Sequence, residues 1–183
     1  PEVPATWITD PDEQIGMPNG YTSTNIGTVV PPGTLDRFPI VQRNFSMLNI
    51  KYLDWNDPYY LISYAEVELM KAEAAVRGWI SGSAETHFSN GVTAAINSWV
   101  YFDPSFSVSS DASAAYVAGR GFAAASNADK LRLIGEEYWA ATFLNAIEAY
   151  SNWRRTGFPA LTPTQDPNAF EGNFIPRRLR YWE

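Results

Sequence analysis

From residue 57 onward the apolar side chains recur at helical spacing, and before it they do not. Leu61, Tyr64 or Ala65, Leu69, Ala72 and Val76 are separated by three and four residues, one side of a 3.6-residue turn. Asp57 can cap this run, Pro58 suits a first helical turn and Gly78 closes it, which predicts a helix to about Arg77. Ser83 opens a second helix through His87, Val92, Ile96 and Trp99, with Gly91 near its middle and Asp103-Pro104 beyond its end. The stretch 103–127 is rich in Ser, Ala and Gly, with Asp111 capping a short helix to about Ala118 and Gly119-Arg120-Gly121 breaking it. Asn127 then caps the longest predicted helix, to about Arg155. Leu131, Ile134, Tyr138 and Ala141 lie on one of its faces and Trp139, Phe143, Ile147 and Tyr150 on another, so it should be mostly buried. Residues 1–56 are punctuated by Pro11, Pro18-Asn19-Gly20, Pro31-Pro32-Gly33 and Pro39 and sustain no period, which reads as loops and short strands. The expected architecture is mostly α: a helical hairpin, a long buried helix and irregular loop-rich segments, in one domain over 1–183 with a loop-rich part (1–56) and a helical part (57–183).

Length and composition bound the function without naming it. A chain of 183 residues with 45% apolar and 15% aromatic residues can bury one core. Its net charge of −7 argues against nucleic acid and anionic lipid surfaces, which need clustered Lys and Arg to displace counterions. Cysteine is absent, which removes disulfides, thiolate metal sites and Cys nucleophiles. No window approaches 18 consecutive apolar residues, and Pro1-Glu2-Val3-Pro4 has neither the basic nor the apolar region of a signal peptide. Opening at Pro in turn-rich sequence, the chain reads as a piece of something longer.

Catalytic chemistry finds little to stand on. His87 is the one histidine, short of what an imidazole metal site usually takes, and its place beside Phe88 and Val92 suits packing. Nucleotide, zinc-protease, calcium and serine-hydrolase motifs are missing, and no cofactor is implied. Carboxylates remain: Glu66, Glu68 and Glu73 on one helix, Glu136, Glu137 and Glu148 on another. Glycoside hydrolysis needs two at a set separation. Adjacent positions on a helix point about 100 degrees apart, so solvated faces and ion pairs to Arg77, Arg154 and Arg155 account for them more simply.

Two blocks carry a family resemblance. The first is Tyr64-Ala65-Glu66-Val67-Glu68-Leu69-Met70-Lys71-Ala72-Glu73-Ala74-Ala75-Val76-Arg77-Gly78. The second is Glu148-Ala149-Tyr150-Ser151-Asn152-Trp153-Arg154-Arg155-Thr156-Gly157-Phe158-Pro159, followed by Ile175-Pro176-Arg177-Arg178-Leu179-Arg180-Tyr181. Together they resemble the SusD/RagB family of outer-membrane nutrient-binding lipoproteins, in the branch whose last block reads RRTGxP…IPRRxRY. The resemblance covers the C-terminal portion of a typical member. It implies a tetratricopeptide-like superhelix, and Ala72, Gly78, Ala84, Phe88 and Ala95 place small and aromatic residues where such a unit needs them. An ordinary helical hairpin of another all-α fold would show much the same spacing. The family usually continues past the last Tyr with a Pro, whereas here Trp182-Glu183 follows.

Arg154, Arg155, Arg177 and Arg178 read in two ways. They suit bidentate anion recognition, and they suit the carbonyls and dipole at a helix C-terminus with Glu148 as a carboxylate partner. The second, structural role is the one the family motif also implies. If a sugar is the ligand, aromatics in irregular segments should stack on it: Trp7, Tyr21 and Trp55 first, with Phe45 and Trp79 as further candidates. The resemblance implies a non-catalytic surface lipoprotein of the outer membrane, held by a lipid anchor outside this chain. It would bind an oligosaccharide or other nutrient and pass it to a TonB-dependent SusC-like transporter. A tetratricopeptide-type module that binds a protein or peptide in a helical groove is the alternative.

Overall fold

The computed structural model describes residues 48, 50–52, 54–163 and 175–177. Trp7, Tyr21, Phe45 and Arg178 lie outside these residues. Backbone proximity divides the chain into two compact units, Pro1–Asn49 with Thr162–Glu183, and Ile50–Leu161. The second unit holds five α-helices: α1 (Tyr64–Val76), α2 (Ala84–Ser98), α3 (Ser110–Gly119), α4 (Asn127–Ala141) and α5 (Ala146–Thr156). Short 3-10 turns at Trp99–Tyr101 and Pro104–Phe106 follow α2, and one at Phe122–Ala124 precedes α4. Among the described residues there is no β-strand, and no helix is long and apolar enough to cross a membrane.

The fold is mostly α, as the hydrophobic period predicts, but α1 begins six residues late. Ser63, not Asp57, caps it: its hydroxyl accepts the Glu66 N–H (3.1 Å) while its own N–H donates to Glu66 Oε1 (2.8 Å). This reciprocal box satisfies two orphan donors at once and outcompetes a lone Asp. Asp57 closes a local turn instead, accepting the Asp54 N–H at 2.8 Å. Leu61 and Ile62 consequently stand outside the helix and exposed.

The C-terminus of α1 is a Schellman motif. Gly78 takes φ +73, the Gly78 N–H donates to Ala75 O (3.0 Å) and the Trp79 N–H reaches back to Ala74 O (2.9 Å). The sharp turn sends the chain into α2, which Ser83 caps as expected through the Thr86 N–H (3.2 Å). The close approach of the hairpin is at Gly91: a Cβ there would lie 2.8 Å from Leu69 Cγ and 3.2 Å from Ala65 O. Ala95, expected at such a position, is only half-buried, whereas Ala72 is fully buried.

The predicted helix from 127 to 155 is two helices. Ser126 rather than Asn127 caps the first, accepting the Asp129 N–H (3.1 Å). At Thr142 the side-chain hydroxyl bonds back to Tyr138 O (2.8 Å) and to Trp139 O (3.3 Å), and the backbone turns off the helical path at φ −96, ψ 23. Asn145 then restarts the helix, its side chain accepting the Glu148 N–H (3.3 Å). The break leaves Phe143 and Ile147 exposed, not buried on a second face. Ser109, one residue before the helix, likewise replaces Asp111 as the cap of α3. Gly157 stops α5 at φ +80.

The core joins Leu69 and Ala72 of α1, Phe88 and Val92 of α2, Phe122, and Leu133, Ile134 and Tyr138 of α4. Phe88 and Phe122 stack with centroids 4.1 Å apart. Leu69, Phe88 and Val92 are fully buried, each worth about 1.5–3 kcal/mol of transfer free energy. Phe158 closes over α4 at Gly135, where a Cβ would sit 2.7 Å from Phe158 Cβ.

Candidate functional site

α1 buries three carboxylates, Glu66, Glu68 and Glu73, and each is held by partners from other elements. Of the solvated faces and arginine pairs expected of them, the solvated face is not found, while Glu73 does pair with Arg77 and Arg155. Glu68 accepts from His87 Nδ1 across the hairpin (2.7 Å), from Lys71 (2.8 Å) and from Asn90 (3.4 Å). The His87 bond, then the Lys71 bond, hold its carboxyl down to about 2. Glu66 Oε2 and Glu148 Oε1 both face the Tyr138 hydroxyl, at 3.3 and 2.9 Å. Burial, and then the Glu148 bond, push that phenol well above its ordinary range.

Glu73 gathers two guanidinium groups. Arg155 of α5 clamps it with Nη1 on Oε1 and Nη2 on Oε2, both at 2.6 Å, and Arg77 Nε donates to Oε1 at 2.8 Å. The Arg155 bonds hold the Glu73 carboxyl below its ordinary value. Glu148, the partner expected for the arginines, instead takes the Tyr138 hydroxyl, and Arg154 lies over the Tyr150 ring with its Cζ 5.6 Å from the centroid. Arg177 is exposed. On the opposite side of α4, Arg120 bonds Glu136 through Nη2 (2.6 Å). Its buried Nε lies 2.7 Å from Glu137 Oε1 without hydrogen-bond geometry. Burial raises the Glu137 carboxyl, opposed by Arg120.

Two aromatic features stand at the surface. The first is a shallow cleft of about 50 Å³ where the chain enters α1, between the end of α2 and the α4–α5 joint. Tyr59, Tyr60, Trp99 and Phe102 wall it, and Ser63, Glu66, Ser98, Thr142 and Asn145 bring polar groups to it. Tyr60 reaches Ser98 O at 3.5 Å, and Trp99, Phe102, Tyr52 and Phe106 continue the cluster through edge-to-face, tilted and stacked ring pairs. The helical period hides this cleft, since it folds the Tyr59-Tyr60 pair into α1. The Ser63…Glu66 capping box is the signal that frees them. The second feature is Trp79 on the hairpin tip, 71% exposed, with the Arg77 guanidinium 5.3 Å from its ring centroid.

Of the aromatics singled out as ligand contacts, Trp55 stands in a turn, fully exposed. Trp7 and Tyr21 lie outside the described residues, so nothing here brings the three together.

The fold agrees with what this chain is similar to. A solved structure of a chitin-binding protein is 34% identical, superposes with a TM-score of 0.66, and matches over 78% of this chain and 31% of that chain. A solved Bacteroidetes protein, "AC2a SusD-like", is 29% identical with a TM-score of 0.68, over 88% of this chain and 33% of that one. The chain thus spans about a third of the length of these solved chains. No curated protein matches it. The model of the SusD-like family described as "Starch-binding associating with outer membrane" matches residues 10–182, and the chain belongs to that family.

Proposed function

We propose that this chain is part of a non-catalytic binding protein on the outer face of the outer membrane. It captures an oligosaccharide and passes it to a TonB-dependent SusC-like transporter, with attachment through a lipid outside this chain. The observation that carries the reading is the family match over residues 10–182, joined by 34% identity to a chitin-binding protein. The surface chemistry supports it: Trp55, Tyr59 and Trp79 present aromatic faces to water, and indole and phenol faces stack on the C–H faces of sugars. Trp7, Tyr21 and Trp55 are the proposed ligand contacts of the loop-rich segment. Glu148, Arg154, Arg155, Arg177 and Arg178 are proposed to be structural.

Alanine variants at Trp7, Tyr21 and Trp55 in the full-length protein, screened on a glycan array, test the reading. At least one should lose binding while its melting midpoint stays put. Wild-type affinity in all three would move the ligand away from this segment, and an array with no bound glycan would remove the carbohydrate reading. Copurification of a TonB-dependent barrel with the tagged protein tests the partner.

A further inference from the structure

We propose that Trp79 is a separate, pre-positioned stacking platform for one pyranose ring of the oligosaccharide, a proposal that rests on the carbohydrate reading above. The exposed indole is restrained at its backbone and on one ring face. The Schellman closure of α1 sets its backbone, through the Trp79 N–H on Ala74 O at 2.9 Å and Gly78 at φ +73. Arg77 covers the ring, with its Cζ 5.3 Å from the centroid. Arg77 is in turn tied by its Nε to Glu73 at 2.8 Å, and Glu73 is clamped by Arg155. An exposed side chain is thereby linked through three charged groups to α5.

Among the described residues Arg77 is the ring's one aromatic-face partner, and 71% of the residue remains in water. Holding an indole rigid in water forfeits its rotamer entropy without burying its surface, so the arrangement is unfavourable until a ligand covers the ring. It then becomes favourable, because the ordering cost of binding is already met. The chemistry of the surround selects the occupant. A protein partner's anchor would sit within a contiguous apolar patch. Trp79 instead follows Arg77 and Gly78 and precedes Ser81, Gly82 and Ser83, with Ile80 as the apolar neighbour in the loop. An aromatic face in a loop of mostly small and polar residues suits a pyranose, which has a C–H face and a hydroxyl rim.

The test follows the seven tryptophan indole N–H resonances of the 15N-labelled full chain during titration with chitohexaose and, separately, maltoheptaose. The Trp79 signal is assigned by its loss in Trp79→Phe. The expected result is a saturable shift of the Trp79 signal with one of the two glycans. Arg77→Gln should weaken that response by about 2–10-fold through lost pre-positioning, while the responses of the other indoles stay as in the wild type. Shifts at other tryptophans with Trp79 unmoved would overturn this site and leave the carbohydrate reading standing. No shift of any indole with either glycan would overturn both. A Trp79→Phe variant that melts markedly lower would show the ring to be packing rather than waiting, and would also overturn the proposal.

Discussion

Arg155 closes both terminal nitrogens onto the Glu73 carboxylate at 2.6 Å, joining α5 to α1 across 82 residues of sequence. Glu73 is buried, so its charge depends on that fork and on Arg77. Arg155→Ala should therefore cost about 1.5–3 kcal/mol, the range for hydrogen bonds to a charged group. Arg154→Ala, which gives up a contact over the exposed Tyr150 ring, should cost under about 1 kcal/mol. Urea melts of the two variants check the contrast, and equal losses would contradict it.

Gly91 is the contact point of the hairpin. A methyl group there meets Leu69 Cγ at 2.8 Å and the Ala65 carbonyl at 3.2 Å, and the backbone oxygen cannot swing aside. Gly91→Ala should destabilise by about 1–3 kcal/mol despite its better helix propensity, as should Ala72→Leu in the fully buried α1 position. A raised melting midpoint for Gly91→Ala would mean that the helices are further apart.

The hairpin should weaken in acid. Glu68 is held at about 2, below its ordinary 4.5, by His87 and Lys71. A carboxyl depressed in the folded state contributes stability in full above its unfolded value, and loses it as pH falls from about 4.5 toward about 2. His87→Gln removes the largest cause, so its unfolding free energy should fall less steeply over that window. Parallel pH profiles for variant and wild type would contradict this.

Asn145 should behave as a true cap. Asn145→Ala leaves the Glu148 N–H without its side-chain acceptor and should cost about 0.5–2 kcal/mol. Circular dichroism during thermal melting reads the loss, and an unchanged midpoint would mean that α5 does not depend on it.

The parts of the fold legible in the sequence are those where one residue type settles a local question. Ser83 had no competitor as the cap of α2, and Gly157 no rival as the stop of α5. The start of α1 and the break after α4 were misread because apolar spacing says nothing about caps. Asp57 and Ser63 both suit a cap, and only Ser63 has Glu66 three residues on to answer it. Thr142 and Asn145 interrupt a period that Ile147 and Tyr150 appear to continue on paper, because a helix restarted four residues later still keeps a spacing of three and four. At the site, Trp55 and Trp79 were visible as aromatics in turns. Ion pairing of the helix carboxylates to Arg77 and Arg155 is legible, but the fork onto Glu73 in particular is not, since pairing across 82 residues leaves no local trace and Glu148 is the nearer carboxylate.

On the proposed function, the full-length protein binds an oligosaccharide and does not cleave it. Calorimetric titration with chitohexaose and maltoheptaose, with reducing ends assayed in the same samples, measures both halves. Saturable heat is expected with at least one of the two, together with a constant reducing-end count. Heat from neither glycan, or a reducing-end count that keeps rising, would contradict it.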